Sequence, residues 1–159
     1  MPYIAYTHHY RSMPTQPYLL STLPDMHGQL LLEFWHYKAE KVLYARWFGN
    51  LTAEEVVRGA QQATALQSWL HCPLLLNDKH QSTGDWSEAM IWLEYEWLPQ
   101  ALQDGLRAIA YVFALDVSNQ IVSIEFMKRI QPHIAIEMFY DVPTAWDWLQ
   151  SQSHAVGLT

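Results

Sequence analysis

Asp78, Lys79, His80 and Asp85 crowd one short polar stretch that follows the apolar run Pro73-Leu74-Leu75-Leu76. Two carboxylates, an amine and an imidazole at the end of a strand are the groups that general acid–base chemistry uses. The same residues suit a polar loop in which the aspartates accept hydrogen bonds from backbone N–H groups. Ser82 and Thr83 precede Gly84 and lie just before a helical pattern. A phosphate on either would meet the free N–H groups and dipole of that helix, so both are candidate phosphosites. Asp78, Lys79, His80, Gly84 and Asp85 together make a candidate interaction loop.

The histidines do not organise into a metal centre. His8, His9, His36, His71, His80 and His133 include no H-E-x-x-H pair, and the one cysteine, Cys72, excludes a Cys-x-x-Cys site. No metal and no cofactor is expected. The chain lacks a G-x-S-x-G elbow, a G-x-G-x-x-G turn and a Walker A lysine motif. A noncatalytic role follows as the expectation. Cys72 adjoins an apolar run and reads as a buried small hydrophobe.

The elements that must position these residues can be read from periodicity. Leu30 to Tyr37 and Lys41 to Phe48 form a β-hairpin around a polar turn. Thr52 and Glu55 match a capping box that opens a helix running to about Leu70. Leu74 to Leu76 reads as a short buried strand, with Asn77 to Gly84 as the loop after it. Asp85 is the N-cap of the next helix, which carries Trp86, Met90, Leu93 and Trp97 on one side. Trp92 and Tyr95 point elsewhere. Trp86, Trp92, Tyr95 and Trp97 are therefore candidate interface or pocket aromatics. Pro99 breaks or kinks this helix.

Arg107 to Leu115 is nearly all apolar and reads as a central strand. A helix over 117–130 follows, with Ser118 as its cap and Ile121, Ile124, Met127 or Lys128, and Ile130 spaced along it. His133 to Tyr140 is the last strand, and Asp141 caps the last helix. Strands alternating with helices imply a mostly parallel sheet. The expected fold is α/β, with five strands, an N-terminal antiparallel hairpin and about four helices. Residues 1–28, with four of the eight prolines, read as an arm packed on the domain or on a second subunit. Residues 29–151 form the domain and 152–159 a fraying tail.

The formal net charge is −7 and no basic run exists, which argues against nucleic acid as a partner. No apolar run approaches the ~18 residues of a membrane span. A cytoplasmic location is the default. Eight Trp, nine Tyr and five Phe supply more aromatic surface than a modest core needs, which points to a partner or ligand.

The pattern resembles the STAS (SpoIIAA-like) superfamily, and within it the small bacterial STAS-like proteins. The residues that carry the likeness are Trp47-Phe48-Gly49, Leu51-Thr52-Ala53-Glu54-Glu55, Leu74-Leu75-Leu76-Asn77-Asp78, Trp86, Trp97, Gly105-Leu106-Arg107, Ile109-Ala110-Tyr111-Val112, Phe139-Tyr140-Asp141, Trp146 and Leu149. The resemblance implies a regulatory, protein-interaction module. It also implies a phosphorylated serine in a D-S-x-G motif, and Gln81-Ser82-Thr83-Gly84 stands at that place with Gln81 in the acidic position. The expected function is thus a noncatalytic interaction module, homodimeric through its Trp-rich helix, with a regulatory protein as a further partner. The alternative is a small-molecule or lipid carrier with an aromatic-lined pocket.

Overall fold

In the computed structural model, residues 16–155 are described, and six strands form one sheet in sequence order, β1 to β6. β1 (Tyr18–Pro24), β2 (Leu30–Tyr37) and β3 (Val42–Asn50) pair antiparallel. β3, β4 (Leu74–Thr83), β5 (Ala108–Val112) and β6 (Ala135–Phe139) run parallel to one another.

The sixth strand is β1, drawn from the stretch assigned to the arm. Its register against β2 is interrupted at Leu19/Ser21 and again at Leu23/Pro24. An edge strand tolerates both the irregularity and a proline, and the irregular pairing erases the period that would have marked it. Residues 1–15 of the expected arm, with His8 and His9, lie outside the described residues, as do residues 156–159 of the expected tail.

The connections between parallel strands are helical: α1 (Ala53–Leu70), α2 (87–103) and α3 (Val117–Ile130). Neighbouring parallel strands taken in one direction by right-handed crossovers place successive helices on the same face. All three helices accordingly contribute to one core, with Leu32, Phe34, Trp47, Leu75, Ile109 and Tyr111 from the sheet. The reverse face is covered by α4 (Val142–Ala155), whose Ala145 and Leu149 meet Val42, Leu74, Leu76, Ala108 and Ala110. The helix thus continues past the point where the tail was expected to fray.

Local chemistry explains where the helices start. Thr52 Oγ1 accepts from the Glu55 N–H while the Glu55 carboxylate accepts from the Thr52 N–H, the capping box read from sequence. Asp141 accepts from the Thr144 N–H at the start of α4. The cap of α3 is Asp116, not Ser118: its carboxylate accepts from the N–H groups of Asn119 and Gly84. The buried face of α3 then runs through Asn119, Val122, Ser123, Phe126 and Ile130, and Ile121 is exposed. Two polar residues occupy that face because Ser123 hydrogen-bonds the Tyr111 hydroxyl at 2.7 Å and Asn119 Oδ1 at 3.4 Å.

α2 passes through Pro99 without ending. One turn, Leu93–Trp97, is a π-turn, and the Leu98 N–H reaches back to the Leu93 carbonyl. That wider turn changes the register ahead of Pro99, whose ring clash and missing N–H would otherwise break the helix.

Candidate functional site

β4 does not stop at Leu76. β3 continues to pair with it through Gly49↔Ser82 and Asn50↔Thr83. The stretch expected as a loop from Asn77 is therefore strand, and strand alternation decides where its side chains go. Leu75, Asn77 and Lys79 line the helix-covered side. Leu74 and Leu76 belong to the reverse core, where Asp78 accepts a 2.6 Å hydrogen bond from the Tyr44 hydroxyl.

Two features single out Lys79. Pairing of β4 with β5 ends at Asp78↔Val112, so Lys79 is the next residue beyond the last rung. Against β3, Arg46↔Asp78 is followed by Phe48↔Gln81, leaving Lys79 and His80 opposite the single residue Trp47. This is a β-bulge at the carboxyl end of a parallel sheet, the end where α/β proteins bind ligands. The bulge is held by its own side chains. Asp78 Oδ1 accepts from the His80 N–H at 3.0 Å, and the Ser82 hydroxyl donates to the Lys79 carbonyl at 2.7 Å.

The Lys79 side chain enters a partly open cavity of about 50 Å³ under α1, α2 and α3. Six aromatic residues line it, Phe34, Trp47, Trp86, Trp97, Tyr111 and Phe126, with aliphatic side chains between them. The Nζ atom sits 3.6 Å from the Trp86 ring centre, 5.1 Å from that of Trp47 and 5.6 Å from that of Tyr111. Gly59 of α1 makes room for one wall. A Cβ there would meet Cη2 of Trp47 at 2.2 Å, so the indole rests on bare helix backbone. Trp47 Nε1 donates to Asn77 Oδ1 at 2.7 Å, which fixes the ring. Trp86 is wholly buried, packs edge-on against Phe126 and has no partner for its Nε1 among the described residues.

Lys79 is 2% exposed, and among the described residues no group accepts a hydrogen bond from its Nζ. Two effects compete over its charge. A desolvated cation on an indole face gains ~2 kcal/mol. Removing an unpaired ammonium from water costs several kcal/mol even after relaxation. Desolvation wins and lowers the Lys79 pKa well below that of an ordinary lysine. Burial thus favours the neutral form of this amine, which sits in a largely apolar cage.

The other residues singled out from sequence are spread around this point. Asp78 and Lys79 project to opposite faces, and His80 and Asp85 are exposed, so the acid–base quartet does not converge. Asp85 accepts from the Ser87 N–H, which holds its carboxyl below the usual range and opens α2. Ser82 is 3% exposed with its hydroxyl committed to Lys79, whereas Thr83 is exposed and donates to Asn50. Gly84 has φ +99°, and its N–H donates to Asp116. Trp86 and Trp97 line the cavity, Trp92 is half-buried, and Tyr95 is 67% exposed.

Cys72 is buried, its carbonyl and N–H both bonded to the Gln67 amide, and burial pushes its thiol up to about 11. Among the described residues, no three His, Cys, Asp or Glu side chains are placed to hold a metal ion, and no helix is long and apolar enough to cross a membrane.

No protein-family model, curated protein or solved structure matches the chain. The STAS likeness therefore rests on the pattern of residues and elements, and the site must be argued from its own geometry. The place of Lys79 in this cavity was missed because Asn77 to Gly84 read as loop. The signal was the alternation itself, since Leu75, Asn77 and Lys79 continue one face of a strand.

Proposed function

We propose that this domain is a noncatalytic small-molecule-binding module whose ligand occupies the Lys79 cavity. The observation that carries this reading is the cavity: a buried amine, with no hydrogen-bond acceptor among the described residues, in a space lined by six aromatic side chains and several aliphatic ones at the carboxyl end of the parallel strands. Binding sites of this type combine apolar walls with a few placed polar groups. The ligand is small. One enclosed water needs ~10–15 Å³ of such space, so the present cavity takes about three or four non-hydrogen atoms.

The test is native mass spectrometry of the untagged protein beside the variant Ala60→Leu, which fills the cavity from α1. A small adduct on the native protein that is absent from the variant is the expected result. An adduct of equal abundance on both, or none on either, overturns the reading.

A second reading keeps the STAS-like interaction module. Ile91 and Tyr95 are exposed one turn apart on the outside of α2. Leu115, Val117, Ile121 and Tyr140 are exposed in the loops and helix start at the carboxyl end of β5 and β6. The first pair suits a homodimer and the second group a regulatory protein. Light scattering of the protein and of Tyr95→Glu tests the dimer: a mass halved by the substitution supports it, and a monomer at high micromolar concentration excludes it.

A further inference from the structure

The binding reading leaves open what the Lys79 amine does, and the cavity constrains the answer. Apart from Lys79, the polar groups on its walls are Asn77, whose Oδ1 is engaged by Trp47, the Tyr111 hydroxyl, engaged by Ser123, and the indole N–H groups. Among the described residues no second cation lines the space, so these walls offer nothing to hold an anionic ligand beyond the one amine. A buried primary amine whose neutral form burial favours, with no acceptor among the described residues and a pocket of this size in front of it, is suited to attack an electrophilic carbon.

We propose that Lys79 holds its ligand covalently, condensing with a short-chain neutral aldehyde to form an imine in the aromatic cavity. The Nζ lone pair attacks the carbonyl carbon, and the carbonyl π electrons move to oxygen. A proton passes from nitrogen to that oxygen and gives a carbinolamine. Loss of the oxygen as water, with the remaining N–H proton, leaves Nζ=C. One amine and one aldehyde become one imine and one water, with no change in oxidation state and no further reactant. The step is reversible, so the domain releases the aldehyde when its free concentration falls. This inference rests on the binding reading and adds the chemical class of ligand and the mode of attachment.

The chain carries its own controls. Its other lysines are Lys38, Lys41 and Lys128, and all three are exposed or half-exposed. At pH 7 an ordinary lysine is unprotonated in fewer than about one molecule in 10³, whereas burial lowers the Lys79 pKa and so raises its neutral fraction.

The experiment is brief exposure of the folded protein to acetaldehyde with sodium cyanoborohydride at pH 7. Hydride from the borohydride adds to the imine carbon, and solvent supplies the proton on nitrogen, leaving N-ethyl-lysine. Peptide mapping then locates the ethyl groups. The expected result is Lys79 ethylated at least about tenfold faster than Lys38, Lys41 or Lys128, from its larger neutral fraction. In Ala60→Leu, checked by circular dichroism to be folded, that preference is lost. Ethylation of the surface lysines with Lys79 untouched overturns the proposal, as does an undiminished preference in Ala60→Leu. If trapping fails while native mass spectrometry still finds a cavity-dependent adduct, covalent attachment is wrong and binding stands. If both fail, the binding reading falls with it.

Discussion

Asp78 and Lys79 are neighbours in one strand, both buried and both ionisable, and they are treated in opposite ways. Asp78, on the face under α4, accepts from the Tyr44 hydroxyl and from the His80 N–H. Lys79, on the face under α1, α2 and α3, has aromatic rings around it and no acceptor among the described residues. Buried polar groups in folded proteins are ordinarily satisfied, and the exceptions call for a reason. The Asp78 side follows the rule and reads as structure. The Lys79 side departs from it beside a cavity, which is where function is sought.

The comparison can be broken at either face. The largest effect is expected from Trp86→Ala, which removes the ring beneath Lys79 and should cost ~3–5 kcal/mol in chemical denaturation. A loss well under 1 kcal/mol would mean that the ring is not the packed wall described.

The next effect depends on pH. An unfolded lysine titrates near ~10.4, and native Lys79 titrates well below it. Between those two values the unfolded state carries a proton that the native state lacks. Stability therefore rises with pH there, by about 1.4 kcal/mol per unit, and levels off above the unfolded value. Below the native value the full penalty applies. Lys79→Met lacks the titrating group, so it should be the more stable protein at pH 7, and the gap should close as the pH approaches 10. Subtracting the two curves also cancels Cys72, Tyr44 and Tyr111, whose raised pKa values act in the opposite direction. A constant gap across pH 6–9 would contradict a neutral Lys79.

On the opposite face, Tyr44→Phe removes one donor to Asp78 and should cost about 1–3 kcal/mol. Unlike Trp86→Ala, it should leave the reactivity of Lys79 unchanged. A change in Lys79 ethylation in Tyr44→Phe would show that the two faces are coupled through the bulge.

Much of this frame was legible in the sequence. The Thr52–Glu55 capping box, the hairpin of β2 and β3, the buried Cys72 and the Asp141 cap each follow from local chemistry that is complete within a few residues. What escaped reading depended on distant partners. Asn77 to Thr83 is polar, and it is strand because β3 lies beside it. β1 is irregular, and it is strand because β2 offers it an edge. Ile121 is outside and Asn119 inside because Tyr111 on another element satisfies Ser123. The cavity needed all of these at once. It requires the strand extension that turns Lys79 inward and the glycine at 59 that admits Trp47.

The central proposal is that burial, which lowers the Lys79 pKa, leaves it a neutral amine in the folded protein at pH 7. The most direct measurement is an NMR titration of the lysine side chains, following the ¹³Cε resonance of each with Lys79→Met as the assignment. Lys38, Lys41 and Lys128 serve as references within the same sample. The account predicts that the Lys79 resonance holds its neutral-amine position at pH 7 and moves only on acidification. A Lys79 resonance that titrates at the ordinary lysine value would contradict it.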